Sequence, residues 1–112
     1  MIKAILVGAC GKMGVNVTAR AKEDNEIKIV AGIDKYNCGM QYPVFPTFKD
    51  INTDADVIID FSNPLLLDDL LAFATDKKIP IVIATTGYTD AQIEKITETS
   101  KIVPIFFTFN MS

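Results

Sequence analysis

Short runs of apolar residues alternate along the chain with segments whose apolar positions recur every three or four residues. The apolar runs are continuous in Ile, Val, Leu and Phe, which is typical of parallel strands covered by helices on both faces. Alternating strands and helices favour a parallel sheet. The predicted strands are 2–7, 27–33, 56–61, 80–84 and 102–107, and the predicted helices are 12–23, 64–76 and 90–100.

Helix-capping signals stand at the starts of two predicted helices. Asn63 followed by Pro64 offers a capping side chain and then a proline at the first helical position. Thr89 and Gln92 have the spacing of a capping box ahead of the last helix. These signals support the predicted helix starts.

Segment 35–54 contains two prolines and is expected to be mostly irregular, apart from a short strand at 44–45. Helices on both faces of a parallel sheet make three layers. We therefore predict a single α/β domain over residues 1–112, with a Rossmann-like, doubly wound parallel sheet in an αβα arrangement. The sequence leaves the strand order open.

The first predicted strand runs directly into three glycines, Gly8, Gly11 and Gly14, and then into the first helix. In a dinucleotide-binding turn one glycine turns the chain, one lets the backbone approach the diphosphate, and one lets the helix pack close to its strand. The helix start also offers N–H groups and a positive dipole end to the anion. The spacing G-x-x-G-x-x-G is not the commonest one, so a purely structural turn is an alternative.

A carboxylate stands where a nucleotide-binding domain needs one. Asp34 ends the second predicted strand about 20 residues beyond Gly14, the separation expected of the carboxylate that binds the adenosine ribose. Asp is also common in turns, but the spacing from the glycines favours the nucleotide. Lys12 does not complete a P-loop, because Met13 stands where a magnesium-binding hydroxyl is required.

The chain has 112 residues, of which 49% are hydrophobic and 22% charged, with a net charge of −3. These are the proportions of one globular domain, and because complete dehydrogenases are longer we expect a part of a longer protein. The negative charge argues against a nucleic-acid partner, which needs a basic face. No apolar run could span a bilayer and no cleavable signal pattern is recognised, so we expect no membrane partner and a cytoplasmic location.

The two cysteines, Cys10 and Cys38, lack metal-ligand spacing, and the sequence has no histidine to complete a metal site. We therefore expect no metal. Cys10 is expected to be a small packing residue in the glycine turn. A reactive role for either cysteine needs an electropositive, accessible setting that the sequence does not establish.

Small or polar residues cluster at the ends of five predicted strands. Ligands of open parallel sheets bind at the carboxyl ends of the strands, so these clusters are expected on one rim. Polar loops occur there in any α/β domain, and clustering alone does not decide the function. The clusters are Gly8–Gly11, Asp34–Lys35, Asp60–Ser62, Ala84–Gly87 and Thr108–Met111.

Four motifs follow one another along the chain: Gly8-Ala9-Cys10-Gly11-Lys12-Met13-Gly14, Ile59-Asp60-Phe61-Ser62, Thr85-Thr86-Gly87 and Asn110-Met111-Ser112. Their combination in register resembles the N-terminal domain of the dihydrodipicolinate reductase (4-hydroxy-tetrahydrodipicolinate reductase) family, of the diaminopimelate route to lysine. The resemblance covers essentially the whole chain and is more specific than any single motif.

The resemblance implies a reductase that passes hydride from NADH or NADPH to a cyclic unsaturated dicarboxylate, 4-hydroxy-tetrahydrodipicolinate. The family enzyme is usually a homotetramer with two domains, and its second domain binds substrate, builds the oligomer and holds the His and Lys taken to act in protonation and carboxylate binding. We expect that domain to be absent from this chain. No catalytic residue is therefore expected here, and the isolated chain is expected to be inactive.

The same resemblance implies cofactor contacts at all five clusters, and Thr86 and Gly87 are expected close to the substrate. Ala84 departs from the glycine often seen in the family. The implied contacts are Gly8, Ala9, Cys10, Gly11, Lys12 and Met13 at the diphosphate, Asp34 at the adenosine ribose, Lys35 at a 2′-phosphate, Phe61 and Ser62 in the groove, Ala84, Thr85 and Thr86 beside the nicotinamide, and Thr108, Phe109, Asn110 and Met111 between the nicotinamide and the interdomain hinge.

Other interpretations of these residues stay open. A stand-alone NAD(P)-sensing regulatory module would bind the same cofactor without chemistry. Lys35 could simply be solvated, and Thr85–Thr86 could form a plain polar turn. A phospho-acceptor receiver would use Asp60, but it needs an acidic pair after the first strand and a lysine after the last, and both are missing. The preference between NADH and NADPH does not follow from the sequence.

Overall fold

Residues 1–107 are described by the computed structural model, and every strand in them runs parallel to its neighbours. Two short 3₁₀ turns, Phe48–Asp50 and Pro64–Leu66, lie before the fourth strand and the second α-helix respectively. The elements in chain order are β1 (Ile2–Val7), α1 (Lys12–Lys22), β2 (Ile27–Ile33), β3 (Val44–Phe45), β4 (Val57–Asp60), α2 (Leu67–Lys77), β5 (Ile81–Ile83), α3 (Asp90–Thr99) and β6 (Ile105–Phe107).

The six strands form one sheet in the order β3-β2-β1-β4-β5-β6. From β1 the chain builds β2 and β3 on one side and then crosses to β4 on the other, so the strand order reverses between β1 and β4. Val7 pairs with Ile33 of β2 and with Asp60 of β4, which brings these three strand ends to one level. The predicted Rossmann-like α/β fold is confirmed, and its switch point lies at the end of β1.

The two faces of the sheet carry separate hydrophobic clusters. Ile5 of β1 packs in the larger cluster with Leu70 of α2 and Ile96 of α3. Leu6, the next residue, belongs to the smaller cluster, against which Val17 of α1 packs. Successive side chains of a strand point to opposite faces, so β1 anchors both helix layers. Within residues 1–107 no helix has the length and apolar character that crossing a bilayer requires.

Both predicted capping signals are confirmed. The Asn63 side chain accepts a hydrogen bond of 2.9 Å from the N–H of Leu65. Thr89 Oγ1 accepts from the Gln92 N–H at 3.2 Å, and Gln92 Oε1 accepts from the Thr89 N–H at 2.9 Å. These contacts fix the loops after β4 and β5 where they enter the next helices.

The last predicted strand is wrong at its start, because residues 102–104 are not part of the strand. The N–H groups of Ile102 and Val103 both donate to the Thr99 carbonyl and continue the end of α3 as a turn. Pro104 has no N–H to give to a strand ladder. The strand β6 therefore begins at Ile105.

Candidate functional site

The turn between β1 and α1 is packed against the end of β4. Gly8 has φ +85°, and a β carbon there would lie 2.6 Å from the Phe61 carbonyl oxygen. A β carbon on Gly14 would lie 2.1 Å from the Gly8 carbonyl oxygen. Side chains at these two positions would collide with backbone atoms, and glycine there sets the start of α1 beside the ends of β1 and β4.

Several amides of this turn are already hydrogen-bonded within the fold. Gly8 and Ala9 donate to the last carbonyl of β2 at 2.8 and 3.2 Å, and Gly11 donates to the Gly8 carbonyl at 3.2 Å. The next donors are the N–H groups of Lys12 and Met13, in the first turn of α1. Gly11 makes no side-chain capping bond and the first turn has no acidic residue, so the positive end of α1 is left for an anion.

Asp34 lies at the end of β2 with its carboxylate toward the glycine turn. Its Oδ2 accepts a 2.8 Å hydrogen bond from the Cys10 N–H, and its Oδ1 accepts one of 2.7 Å from the Lys35 N–H. The Asp34 N–H donates to the Phe45 carbonyl at 3.1 Å. Each carboxylate oxygen keeps a further lone pair, so Asp34 can still accept a ligand hydroxyl.

The expectation that Cys10 is only a small packing residue is wrong. Cys10 forms a disulfide with Cys38, and their Cα atoms are 5.8 Å apart. The two cysteines are 28 residues apart in sequence, but each follows one of two neighbouring strands, β1 and β2, whose ends lie side by side. In residues 1–107 no three Cys, Asp or Glu side chains lie together as they would to hold a metal ion.

A buried carboxylate organises the rim at the ends of β4 and β5. Asp60 is 1% exposed, and its Oδ1 accepts from both the N–H and the Oγ of Ser62. Its Oδ2 accepts from Thr85 Oγ1 at 3.0 Å and from the Tyr88 hydroxyl at 3.2 Å. One side chain therefore fixes the two loops relative to each other.

Tyr88 completes this rim and was not among the predicted site residues. Burial is the main cause that raises the pKa of Tyr88 above its ordinary value of 10.0, and the nearby charge of Asp60 is the second; a hydrogen bond with Thr85 acts in the opposite direction. The phenol is therefore protonated near neutral pH and donates to Asp60. Its ring also meets Phe107 edge to face, with centroids 5.8 Å apart. A buried acidic residue at the end of an apolar strand needs hydrogen-bond donors. The position of Asp60 in the sequence was therefore a signal that a donor such as Tyr88 lies nearby.

The structure brings four of the five predicted clusters to one rim. Phe61 and Ser62 are partly buried at the end of β4, while Thr85 is buried and Thr86 and Gly87 are exposed after β5. The predicted contacts Thr108, Phe109, Asn110 and Met111 lie outside the described residues.

Comparison with known proteins agrees with the motifs. A family model described as "Dihydrodipicolinate reductase, N-terminus" matches residues 2–111. A curated 4-hydroxy-tetrahydrodipicolinate reductase of Clostridium novyi (strain NT) is 44% identical over 113 aligned residues, which cover 100% of this chain and 45% of the relative. The chain therefore spans less than half the length of this relative.

Two solved structures show the same fold. A dipicolinate-bound dihydrodipicolinate reductase from Paenisporosarcina sp. TG-14 has a TM-score of 0.76 at 22% identity, covering 91% of this chain and 44% of that one. An oxidoreductase from Agrobacterium radiobacter, in complex with NAD+, L-tartaric acid and magnesium, has a TM-score of 0.71 at 18% identity, covering 93% and 34%. The family match over residues 2–111 shows that the chain belongs to the dihydrodipicolinate reductase family, whose N-terminal domain it matches.

Proposed function

We propose that this chain is the cofactor-binding half of a reductase that transfers hydride from NADH or NADPH to 4-hydroxy-tetrahydrodipicolinate in the diaminopimelate route to lysine. The family match supports the reaction. The observation that carries the proposal is the open start of α1, which backbone packing at Gly8 and Gly14 sets beside the ends of β1 and β4.

The residues present fit a diphosphate at the start of α1. The Cys10 amide is already bound to Asp34 and the Gly11 amide to a carbonyl of the turn. We therefore assign the main anion contacts to the N–H groups of two exposed residues, Lys12 and Met13. The exposed Lys12 side chain adds a positive charge beside the same position.

The end of β2 fits the adenosine ribose. Asp34 is held there from two sides, by its own N–H bond to the Phe45 carbonyl and by the Cys10 amide, so its carboxylate is oriented before a ligand arrives. A ribose 2′-hydroxyl can donate to it. The exposed Lys35 is the next residue, and its ammonium group can pair with the negative charge of a 2′-phosphate. Both nicotinamide dinucleotides are therefore compatible with this end.

The loops after β4 and β5 are assigned to the nicotinamide end. Phe61 and Ser62 would line the groove, with Ala84, Thr85 and Thr86 on the opposite side. When bound, the nicotinamide supplies the hydride. Asp60 keeps Ser62 and Thr85 in one arrangement, while the exposed Thr86 and Gly87 would face the arriving substrate.

Substrate binding is proposed to depend on the part of the family enzyme that this chain does not match. A cyclic dicarboxylate needs several cationic or N–H partners, and the rim described above offers few beyond those assigned to the cofactor. The dipicolinate-bound relative supports a small dicarboxylate as ligand. We propose that the homotetramer also depends on that part, and that this chain alone binds dinucleotide weakly without turnover.

Calorimetric titration with NADH and NADPH tests the cofactor assignment. A β carbon at Gly11 meets nothing nearer than 3.5 Å, so Gly11→Ala should fold and retain binding. Gly11→Leu would fill the exposed space beside the helix start and should abolish binding. If the unmodified chain binds neither dinucleotide, the assignment is overturned.

Enzyme assay and mass measurement test the rest of the proposal. Turnover of 4-hydroxy-tetrahydrodipicolinate by the isolated chain would contradict the division of labour. The polypeptide made by the source cell should be about twice as long as this chain, in keeping with its relatives. A native product of this length would instead favour an NAD(P)-sensing module.

A further inference from the structure

The Cys10–Cys38 disulfide crosses the adenosine end of the proposed dinucleotide site. Cys10 lies in the glycine turn, donates its N–H to Asp34 at 2.8 Å, and is bonded through sulfur to Cys38 in the loop after β2. We infer that this disulfide is a thiol–disulfide exchange site for a dithiol, and that its redox state sets the affinity of the chain for the dinucleotide. The inference rests on the proposed function, since it names a control of the same site.

The loop that carries Cys38 is otherwise weakly attached. Residues 35–39 are all exposed. In the described chain the amides of this segment donate only locally: that of Lys35 to Asp34, and that of Gly39 to the Asn37 side chain at 3.0 Å. The disulfide, with a 3.3 Å contact between the Cys10 sulfur and the Tyr36 carbonyl beside it, therefore holds this segment against the glycine turn.

The exposure of the two sulfur-bearing residues suits attack at Cys38, which is exposed, whereas Cys10 is partly buried. A thiolate of the dithiol attacks the Cys38 sulfur and forms a mixed disulfide, and Cys10 leaves as a thiolate that takes up a proton. The second thiol then attacks the mixed disulfide, releases Cys38 as a thiol and closes the disulfide of the reagent. Two electrons pass from the dithiol to the protein.

The start of α1 favours this direction of cleavage. Cys10 comes one residue before Gly11, the N-cap of α1. The positive end of a helix stabilises a thiolate, and a more stable thiolate leaves faster. Cys10, which lies within the proposed anion site, is therefore the better leaving group of this disulfide.

Reduction should weaken dinucleotide binding. In the oxidised chain the segment 35–39 is already held beside Asp34, whereas the reduced chain must order it upon binding, which lowers the affinity. We expect a loss of about tenfold, within the usual range for coupled sites. Because the coupling is reciprocal, the dinucleotide should make the disulfide harder to reduce by the same factor.

The test compares the oxidised chain with the chain reduced by dithiothreitol, with thiol counting to confirm each state. NADH and ADP-ribose, which retains the adenosine half and lacks nicotinamide, should both bind about tenfold more weakly after reduction. Cys38→Ser should bind both ligands with the affinity of the reduced chain, and dithiothreitol should not change that affinity. Asn37→Ser, in the same loop with the disulfide intact, should keep the full redox response.

Equal affinities of the oxidised and reduced chains would overturn the redox inference while the proposed function stands. Binding of neither form would overturn both. If Cys38→Ser does not fold, as judged by circular dichroism, the reduced unmodified chain still decides the matter. A further measurement is the dithiothreitol concentration for half-reduction, which NADH should raise by the same factor; an unchanged concentration would refute the coupling.

Discussion

Gly14 lies so close to Gly8 that a β carbon at position 14 would overlap the Gly8 carbonyl oxygen. The same hypothetical atom would lie 2.6 Å from the carbonyl oxygen of Ala9. No rotation of a side chain can relieve contacts between a β carbon and backbone atoms. The first turn of α1 therefore packs against the end of β1 with no room for a side chain at position 14.

Gly14→Ala should therefore be strongly destabilising, although alanine favours helices. We expect the free energy of unfolding to fall by about 3 kcal/mol, at the upper end of the usual overpacking range. Urea denaturation measures the change. Gly11→Ala is the matched control, with its nearest atom at 3.5 Å, and should change stability by less than about 1 kcal/mol. Similar losses in both variants would show that the contact is not the cause.

Asp60→Ala should be the most damaging single change on the rim. It would leave the partly buried donors of Ser62 and Tyr88 without this acceptor, and Thr85 would keep only the main-chain carbonyl of residue 60, at 3.4 Å. We expect a loss of about 3 kcal/mol. Asp60→Asn retains one acceptor oxygen and should lose less. Asp68→Ala, which breaks an exposed ion pair with Lys95, should cost less than about 1 kcal/mol. Urea denaturation of the three variants gives the ranking, and equal losses at positions 60 and 68 would contradict it.

Asp34→Ala should weaken the binding of NADH more than the binding of NADPH. The free ribose 2′-hydroxyl of NADH donates to the carboxylate, whereas the carboxylate repels the 2′-phosphate of NADPH. Lys35→Ala should show the opposite preference, through loss of a charge partner for the 2′-phosphate. Calorimetric titrations of each variant with NADH and with NADPH measure the ratio of the two affinities. Equal effects of Asp34→Ala on the two dinucleotides would remove its assigned ribose role.

Alkaline pH should destabilise the fold through two partly buried phenols, those of Tyr42 and Tyr88. Burial is the main cause that raises the pKa values of both Tyr42 and Tyr88, so the unfolded chain loses these protons first. Their contribution is fully present below the ordinary value of 10.0 and declines as the pH rises above it. Urea denaturation between about pH 8 and 11 should show this decline.

Tyr88→Phe should make that decline shallower, with Tyr42 responsible for the rest. The variant also loses the hydrogen bond to Asp60 and should be about 1 kcal/mol less stable at neutral pH. Tyr36→Phe, at an exposed position, is the control for loss of a hydroxyl and should change stability at neutral pH by less than about 0.5 kcal/mol. An equally steep slope in Tyr88→Phe would exclude the buried phenol as its source.

The sequence was sufficient to predict features that depend on local chemistry. Continuous apolar runs identified the strands, Asn63 and Thr89 located two helix starts, and the glycine spacing located the turn beside Asp34. Each of these signals acts over a few residues or over one strand-helix-strand unit. They hold in the structure because local preference and tertiary packing agree there.

Two of the misses depend on contacts between residues far apart in the chain. The strand order had to be known before Cys10 and Cys38 could be placed on adjacent loops. Likewise, Asp60 and Tyr88 meet only because β4 and β5 are neighbours. The start of β6 was missed for a local reason, since Ile102 and Val103 are apolar but bond back to α3.

A single carboxylate shared by Ser62, Thr85 and Tyr88 restricts how these positions can diverge between homologues. An apolar residue at position 60 is tolerable only if the hydrogen-bond donors at positions 62, 85 and 88 are replaced as well. Each substitution alone leaves a polar group without its hydrogen-bond partner. We expect these four sites to co-vary as a block across related sequences, with intermediate combinations rare.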